Sequence, residues 1–372
     1  MSAPQGDGAE PVSAPASSHA ALHTAWCDLV GVRVPIVQTG MGWVSGARLT
    51  AATCEAGALG ILASATMTLD ELDAAISRVR AATDRPFGVN LLPAAADAVA
   101  RIELLIAREV PVVSFAAAPR PEQITRLRDA GVITVVTVGA PRHAEKVAAM
   151  GVHAVIAQGG EGGGHTGSIA TSLLLPGVVD AVAGSDVVVL GAGGFLDGRG
   201  LVAALAYGAD GIAMGTRFLL TAESRVPDHV KDVYIGTPLT GTVVTEAIDG
   251  APQRVVRTKV IEALERIPAA VRLPAAARNA LRFRSATGTS VRDMVGTARA
   301  MRAQGDLTLA QLAMAANAPM MTKAAMVDGS LDAGILPTGQ AVGAIDSLPT
   351  VAELLDEMVA DAVGVLDSLS AR

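Results

Sequence analysis

The sequence predicts an α/β fold, a (β/α)8 TIM barrel with a C-terminal helical extension that caps it. Eight short runs rich in β-branched residues recur between residues 34 and 218, at intervals of about 20 to 34 residues. This is the period of a unit that contains one strand, one helix and two connections. Most runs are continuously apolar, as parallel strands covered on both faces should be. A doubly wound open sheet is the alternative, but it would not need eight evenly spaced units.

Predicted strands and helices alternate along the chain. The strands are 34–40, 57–64, 85–92, 110–116, 132–138, 152–158, 186–194 and 210–218. The helices, which follow every strand except the sixth and the last, are 46–57, 68–83, 95–110, 121–131, 140–151 and 198–210. Several of these helices end at a glycine, which is a common helix stop. Thr68 and Glu71 predict a capping box at the start of the second helix.

The barrel should occupy residues 27–245, between two segments of different character. Residues 1–26 begin with a stretch rich in Ala, Pro, Ser and Gly that lacks the features of a signal peptide, so we expect a flexible tail. Residues 246–372 carry mostly helical patterns and should complete the barrel mouth. Their Arg-rich part could form a lid, a subunit contact in a homo-oligomer, or an ordinary packed extension.

Composition excludes several classes of function. Apolar residues make up 51% of the chain and charged residues 17%, so a large buried core is expected. The net charge is −7 and no block of Lys or Arg stands out, which disfavours nucleic-acid and membrane partners. Cys27 and Cys54 show no metal spacing and are expected to be buried, reduced thiols. Together these features predict a cytoplasmic protein with no membrane span.

Glycine gathers at the ends of the predicted strands, where the working face of such a barrel lies. The first strand ends in QTGMGW, the third in GVNL, the sixth in QGGEGGGHTG, the seventh in GAGGF and the eighth in AMGTRF. The last two strand ends often bind phosphate, because bare backbone N–H groups can approach an anion there. Gly193, Gly194, Gly215 and Thr216 have the expected positions for this. Tight turns without a ligand are the alternative.

The loop after the sixth strand, 158–167, contains six glycines and one of the chain's six histidines. Gly162, Gly164 and Gly167 match G-x-G-x-x-G, but no helix is predicted directly after them and no acidic residue closes the next strand. The pattern is therefore not a dinucleotide fingerprint. We expect these glycines to let the loop pass flat against a planar ligand.

His165 is the candidate catalytic residue, because histidine can exchange a proton near neutral pH and this one sits in a loop at the working face. Glu161 either orients the same loop or is simply solvated. His143 and His153, in a predicted helix and strand, are expected to be structural. No cluster of His, Cys, Asp or Glu has the spacing of a metal site.

Taken together, the strand ends resemble the FMN-dependent nitronate monooxygenase family, formerly called 2-nitropropane dioxygenases, and the similar FMN-dependent enoyl-ACP reductases. The resemblance covers about residues 28–345. Its most specific pieces, in order, are PIVQTGMGW, GALGILAS, PFGVNLL, QGGEGGGHTG, VLGAGGF, GADGIAMGTRFLLTAES and DAGILPTGQAVGAI. Each piece is weak alone, and their order makes the resemblance specific.

The resemblance implies a non-covalent FMN at the barrel mouth, with His165 at the position of the family's catalytic histidine. Residues along or bonded to the flavin ring would be Gly40, Met41, Gly42, Asn90 and Gln158. Other cofactor-binding residues, most of them around the phosphate, would be Gly159, Gly164, Gly193, Gly194, Met214, Gly215, Thr216 and Gln340.

Two departures bear on the substrate. Many family members read APM after the first strand and EAGGH after the sixth, where this chain has TGM and EGGGH. The QTGMGWV version looks closest to actinobacterial members that act on CoA thioesters in steroid-ring breakdown. That likeness implies a dehydrogenase or reductase of a bicyclic acyl-CoA, with NAD(P)H or O2 as a possible second substrate. The Arg-rich stretch Arg254–Arg302, which includes Arg282 and Arg284, could then face the CoA phosphates, and a solvated face is the alternative.

Two further functions stay open at this point. One is nitronate monooxygenase, which would oxidise alkyl nitronates with O2. The other is a flavin-free barrel, such as a phosphosugar isomerase, that uses the same phosphate site.

Overall fold

Eight parallel strands close into a barrel in the computed structural model, which describes residues 19–266 and 317–372. The first strand pairs with both the second and the last, so the sheet has no open edge. The TIM barrel is confirmed, and the open doubly wound sheet is excluded. The barrel strands are β1 (Ile36–Gln38), β2 (Leu59–Ala63), β3 (Gly88–Leu91), β4 (Val112–Phe115), β5 (Ile133–Val138), β6 (Ala154–Gln158), β8 (Val188–Ala192) and β9 (Gly211–Met214).

Alternate residues of these strands fill the barrel interior with apolar side chains. The interior cluster includes Val37, Leu59, Ile61, Val112, Val135, Ala154, Ile156, Leu190 and Ala213. Toward the carboxyl ends of the strands, the same alternation brings polar side chains inward, among them Asn90, Ser114 and Gln158. The interior is therefore apolar toward the amino ends of the strands and polar at the mouth, which is where a polar ligand can bind.

A short helix, α1 (Ala25–Val30), closes the amino end of the barrel. Trp26 is fully buried and belongs to the same cluster as the inward residues of the strands. The predicted flexible tail, 1–26, was therefore too long, because residues 19–26 already have defined structure. The prediction was wrong for these residues because it relied on the Ala, Pro, Ser and Gly content of the segment and did not consider that the Trp26 side chain could be buried. Residues 1–18 lie outside the described part.

Helices cover the outside of the barrel and bury an apolar face against the strands. They are α2 (Ala47–Glu55), α3 (Leu69–Ala82), α4 (Ala98–Ala107), α5 (Pro121–Asp129), α6 (Pro141–Ala148), α7 (Thr171–Ala181), α8 (Gly198–Ala206), α9 (Thr216–Leu219) and α10 (Asp228–Ile235). The capping box of α3 is confirmed. The Thr68 N–H donates to Glu71 Oε2 at 2.8 Å, and the Glu71 N–H donates to Thr68 Oγ1 at 3.2 Å.

Helix α7 was not predicted, because Pro176 lies in its interior. Proline cannot donate the backbone hydrogen bond of that turn and normally argues against a helix. Here Leu174, Leu175 and Val178 are buried beneath the helix, and this packing offsets the lost bond. The first turn of α7 faces the loop that follows β6, so the helix matters for the site.

A second, three-stranded sheet lies at the barrel mouth. Strands β10 (Thr242–Thr245) and β11 (Gln253–Val256) form an antiparallel hairpin, and β7 (Gly164–His165) adds to β11. The predicted boundary between residues 245 and 246 falls inside this hairpin, so the barrel and the extension share a structural unit. Strand β11 belongs to the extension, which was predicted to be mostly helical.

The described part of the extension then returns to the barrel. Its helices are α11 (Lys259–Arg266), α12 (Asn317–Met326) and α13 (Val351–Ser370). Helix α13 packs closely on α8, where a Cβ on Gly198 would overlap the Met358 carbonyl. Within residues 19–266 and 317–372, no helix has the length and apolar character needed to span a bilayer.

Both cysteines are free and buried, as predicted. Burial raises the pKa of the Cys54 thiol to about 12 and also raises that of Cys27. At neutral pH both side chains are protonated and behave as small apolar groups.

Candidate active site

The loop after β1 lies against the end of β3. A Cβ on Gly40 would sit 2.5 Å from the Asn90 Cβ, so the loop backbone and this side chain are in direct contact. The Asn90 Nδ2 donates to Ser114 Oγ at 3.2 Å, which holds the amide inside the mouth. The Met41 N–H donates to Ser45 Oγ at 2.9 Å and fixes the turn, while Gly42 is exposed at its tip.

The loop after β6 folds back on its own strand. Gln158 Nε2 donates to the His165 carbonyl at 2.8 Å, so this amide also holds the loop closed. Gly159 lies against the start of α7, where an added Cβ would be 2.6 Å from the Thr171 Cα. Gly164 has a left-handed backbone, with φ of +66°, and nothing lies within 4 Å of its Cβ position. The Gly164 position therefore borders open space.

Glu161 orients this loop and is not merely solvated. Its Oε2 accepts from the Thr171 N–H at 2.9 Å and from Thr171 Oγ1 at 2.7 Å. A carboxylate at the first turn of a helix is favoured by the helix dipole and by the unpaired N–H groups there. Thr171 Oγ1 also lies 3.0 Å from the Gly193 carbonyl, so Glu161, α7 and the end of β8 form one connected unit.

The residues predicted to bind phosphate lie at the ends of β8 and β9. Gly193 and Gly194 both have positive φ, +96° and +83°, a conformation that favours glycine. Gly215 is the N-cap of α9 and Thr216 is its first residue, and Thr216 Oγ1 accepts from the Gly339 N–H at 2.8 Å. The Met214 side chain is in the hydrophobic core, so only its backbone is available to a ligand.

The extension crosses this mouth through residues 338–340. The Gln340 N–H donates to the Glu161 carbonyl at 2.9 Å, and the Thr338 N–H donates to the Arg254 carbonyl at 3.2 Å. The predicted residue Gln340 is therefore next to the loop after β6, although it is 179 positions beyond Glu161 in the sequence.

This arrangement fits an anionic, planar ligand better than a metal ion. A Cβ on Gly194 would meet only Glu161, at 3.7 Å, so the backbone there is open to an approaching group. Backbone amides and the Thr216 hydroxyl are donors suited to a phosphate, and the Asn90 amide is suited to a ring edge. In the part of the chain that the structure describes, no group of three His, Cys, Asp or Glu side chains is arranged to hold a metal.

His165 lies on β7 with its imidazole 64% exposed. Its Nε2 is 2.8 Å from Asp249 Oδ2, and the Asp249 side chain is only 6% exposed. Sequence reasoning missed Asp249, because the two residues are 84 positions apart and meet only through the pairing of β7 with β11. The one local signal was the turn sequence Asp-Gly at 249–250.

Two more residues fasten the hairpin at this point. Gln253 Nε2 donates to Asp249 Oδ2 at 2.6 Å, and the Ala251 N–H donates to Asp249 Oδ1 at 3.2 Å. The Arg254 guanidinium donates to the Gly160 carbonyl at 2.8 Å and to Thr242 Oγ1 at 2.9 Å. Burial lowers the pKa of Arg254, and the nearby Glu161 carboxylate partly opposes this effect.

The other predicted groups lie away from the mouth or outside the described residues. His143 is in α6, and His153, which precedes β6, accepts the Thr134 N–H at its Nδ1 at 3.0 Å. Burial lowers the pKa of both imidazoles. Arg282 and Arg284, predicted near CoA phosphates, lie outside the described residues.

Comparison with known proteins identifies the family. The model of the nitronate monooxygenase family matches residues 23–100 and 94–361. The chain belongs to this family. A "Probable nitronate monooxygenase" of Staphylococcus aureus is 28% identical over 280 residues, which cover 63% of this chain and 78% of the relative.

A relative with much higher identity comes from Mycobacterium tuberculosis. It is named "(3aS,4S,5R,7aS)-5-hydroxy-7a-methyl-1-oxo-octahydro-1H-indene-4-carboxyl-CoA dehydrogenase" and is 55% identical over 350 residues, 94% of this chain and 99% of the relative. Among solved structures, FabK from Thermotoga maritima has a TM-score of 0.74 and 32% identity, covering 94% of this chain and 98% of FabK. This member of the nitronate monooxygenase family is therefore an oxidoreductase.

Proposed function

We propose that this chain is an FMN-dependent dehydrogenase of a hydroxylated bicyclic acyl-CoA, with His165 as its general base. One observation carries the proposal. An imidazole held by a buried carboxylate borders a glycine-lined mouth, in a chain 55% identical to a dehydrogenase of a hydroxylated indene-carboxyl-CoA. Relatives named for nitronate oxidation are more distant, at 28% identity.

The residues that would hold FMN come from six parts of the chain. Backbone N–H groups of Gly193, Gly194 and Gly215, with the Thr216 hydroxyl, would bind its phosphate. The backbone of Met214 would also lie at the phosphate, and the flavin ring would contact Gly40, Met41, Gly42, Asn90, Gln158, Gly159, Gly164 and Gln340. When bound, FMN supplies an acceptor for the two electrons and the hydrogen that leave a substrate carbon as hydride.

The chain's own task in the reaction is to move a proton. Dehydrogenation of a secondary alcohol breaks one C–H and one O–H bond and forms a C=O bond. The hydrogen on carbon leaves with two electrons, and the hydroxyl proton needs a base. His165 supplies that base at the mouth, because its Nε2 is occupied by Asp249 and its Nδ1 is left for the substrate.

The CoA portion of the substrate would lie across the extension. Arg254 cannot be its main anchor, because its guanidinium already bonds to Gly160 and Thr242. The Arg-rich residues that follow in the sequence, including Arg282 and Arg284, are the candidates for the phosphates.

The proposal is tested by an anaerobic titration of the purified holoenzyme, after its cofactor has been released from a sample and identified by mass. We expect FMN, and we expect the hydroxylated bicyclic acyl-CoA to bleach its visible band while propionate nitronate does not. Bleaching by nitronate alone would show that the enzyme is a nitronate monooxygenase. A colourless protein that FMN cannot reconstitute would contradict both functions.

A further inference from the structure

Asp249 is an acidic side chain in a buried position, which is rare unless the carboxylate is paired. Its side chain is 6% exposed, and removal of a carboxylate from water is costly unless hydrogen bonds replace the lost solvation. Both oxygens are used. Oδ1 accepts from the Ala251 N–H at 3.2 Å, and Oδ2 accepts from Gln253 Nε2 at 2.6 Å and from the His165 ring at 2.8 Å.

The three-stranded sheet builds this contact. The pairing of His165 with Gln253 on β11 brings the imidazole beside the turn that carries Asp249. Asp249 and Gln253 are four residues apart in one hairpin, so Gln253 fixes the carboxylate while the sheet fixes the imidazole.

We propose that Asp249 is a positioning residue for His165, an inference that rests on the proposed function of His165 as a base. Gln253 Nε2 lies 3.3 Å from His165 Nε2, but it donates to Asp249 at 2.6 Å, and the imidazole is closer to the carboxylate, at 2.8 Å. A carboxylate can only accept hydrogen bonds, so its contact keeps the hydrogen of the neutral imidazole on Nε2 and leaves the Nδ1 lone pair for the substrate hydroxyl. Once Nδ1 has taken the proton, the negative charge of Asp249 stabilises the imidazolium. Gln253 is the residue that orients Asp249.

Asp249→Asn tests the proposal, because an amide keeps the shape and loses the charge. The amide cannot satisfy all partners. If the amide oxygen faces His165 and Gln253, the amide NH2 faces the Ala251 N–H, and two donors meet. If the amide is turned over, its NH2 meets the NH2 of Gln253. We expect kcat for the acyl-CoA to fall by about 10²–10⁴-fold, as when a general base is disabled. KM and the bound FMN should change little.

Glu246→Gln is the matched control. Glu246 is an exposed carboxylate in the same hairpin, so the variant removes the same charge without touching His165. It should keep the kcat of the natural enzyme. An equal loss in Glu246→Gln and Asp249→Asn would show that only the charge of the hairpin matters, which would overturn the proposal.

A second measurement needs no variant and decides the matter if Asp249→Asn fails to fold. In the holoenzyme labelled with [15N]histidine, the ring nitrogen shifts of His165 report which nitrogen carries the hydrogen. The chain has six histidines, so His165→Ala assigns the signal. We expect the hydrogen on Nε2 and a bare Nδ1. A hydrogen on Nδ1 would overturn the role of Asp249.

The failure of this inference differs from the failure of the proposed function. If His165→Ala is slow while Asp249→Asn turns over like the natural enzyme, His165 remains the base and the role of Asp249 is wrong. If His165→Ala itself turns over normally, the assignment of the base is wrong and the role of Asp249 falls with it.

Discussion

At the scale of single residues, Gly159 shows why the loop after β6 has so little side-chain bulk. Its Cα lies against the first residue of α7, and a Cβ would be 2.6 Å from both the Thr171 Cα and the Thr171 N. This obstacle is backbone, so it cannot rotate away. The sequence led us to expect that Gly159 contacts the cofactor, and the structure gives it a packing role as well.

Gly159→Ala should lower the free energy of unfolding by about 1–3 kcal/mol, the usual cost of an extra methyl group in a packed site. Gly167→Ala in the same loop is the control, because the nearest atom to its Cβ position is the Gly139 carbonyl at 3.9 Å. Urea denaturation of the two variants measures the difference. Equal midpoints would contradict the packing role of Gly159.

At the scale of elements, α1 closes the end of the barrel at which the strands begin. Trp26 is fully buried among apolar side chains. Its Nε1 lacks a hydrogen-bond partner within the described residues. An unpaired buried N–H costs free energy, so the stabilisation must come from the packed ring. Cys27 and Val30 of the same helix join this cluster, and Trp26 is its largest contribution to the barrel interior.

Trp26→Ala should destabilise the fold by about 3–5 kcal/mol, because it leaves a cavity that the surrounding strands cannot fill. Trp26→Phe is the informative comparison. It keeps most of the ring and removes the unpaired Nε1, so its loss should be clearly smaller. Both values follow from urea denaturation of the holoenzyme. A Phe variant as unstable as the Ala variant would show that the indole nitrogen is bonded in solution.

Sequence patterns predicted those helices and strands that are stabilised by contacts between residues close in the sequence. The capping box of α3 depends on Thr68 and Glu71, three residues apart, and the sequence predicted it. Helix α7 was missed because Pro176 argues against a helix locally, while the packing that sustains it comes from distant strands. The three-stranded sheet was missed for a related reason, since β7 is a two-residue segment whose partners on β11 lie 88 and 90 positions later in the sequence.

At the scale of the whole molecule, the closed barrel followed from the regular period of eight apolar runs, and it gathers the strand ends at one face. The candidate residues on those ends could therefore be proposed without a structure. Asp249 could not, because its contact with His165 depends on a pairing between two connections and not between barrel strands. Repetition in a sequence reveals the scaffold, whereas contacts between irregular loops need coordinates.

The protein is proposed to oxidise a hydroxyl group of its substrate. In this reaction the C–H bond on the hydroxyl-bearing carbon breaks, and His165 is the base that takes the hydroxyl proton. Rapid mixing of the anaerobic holoenzyme with the acyl-CoA measures the rate constant for loss of the visible flavin band. We expect deuterium on the hydroxyl-bearing carbon to slow this step, because that C–H bond breaks in it. His165→Ala should slow it by about 10²–10⁴-fold while FMN stays bound.

Bleaching that is equally fast with and without deuterium, and equally fast in His165→Ala, would contradict both assignments.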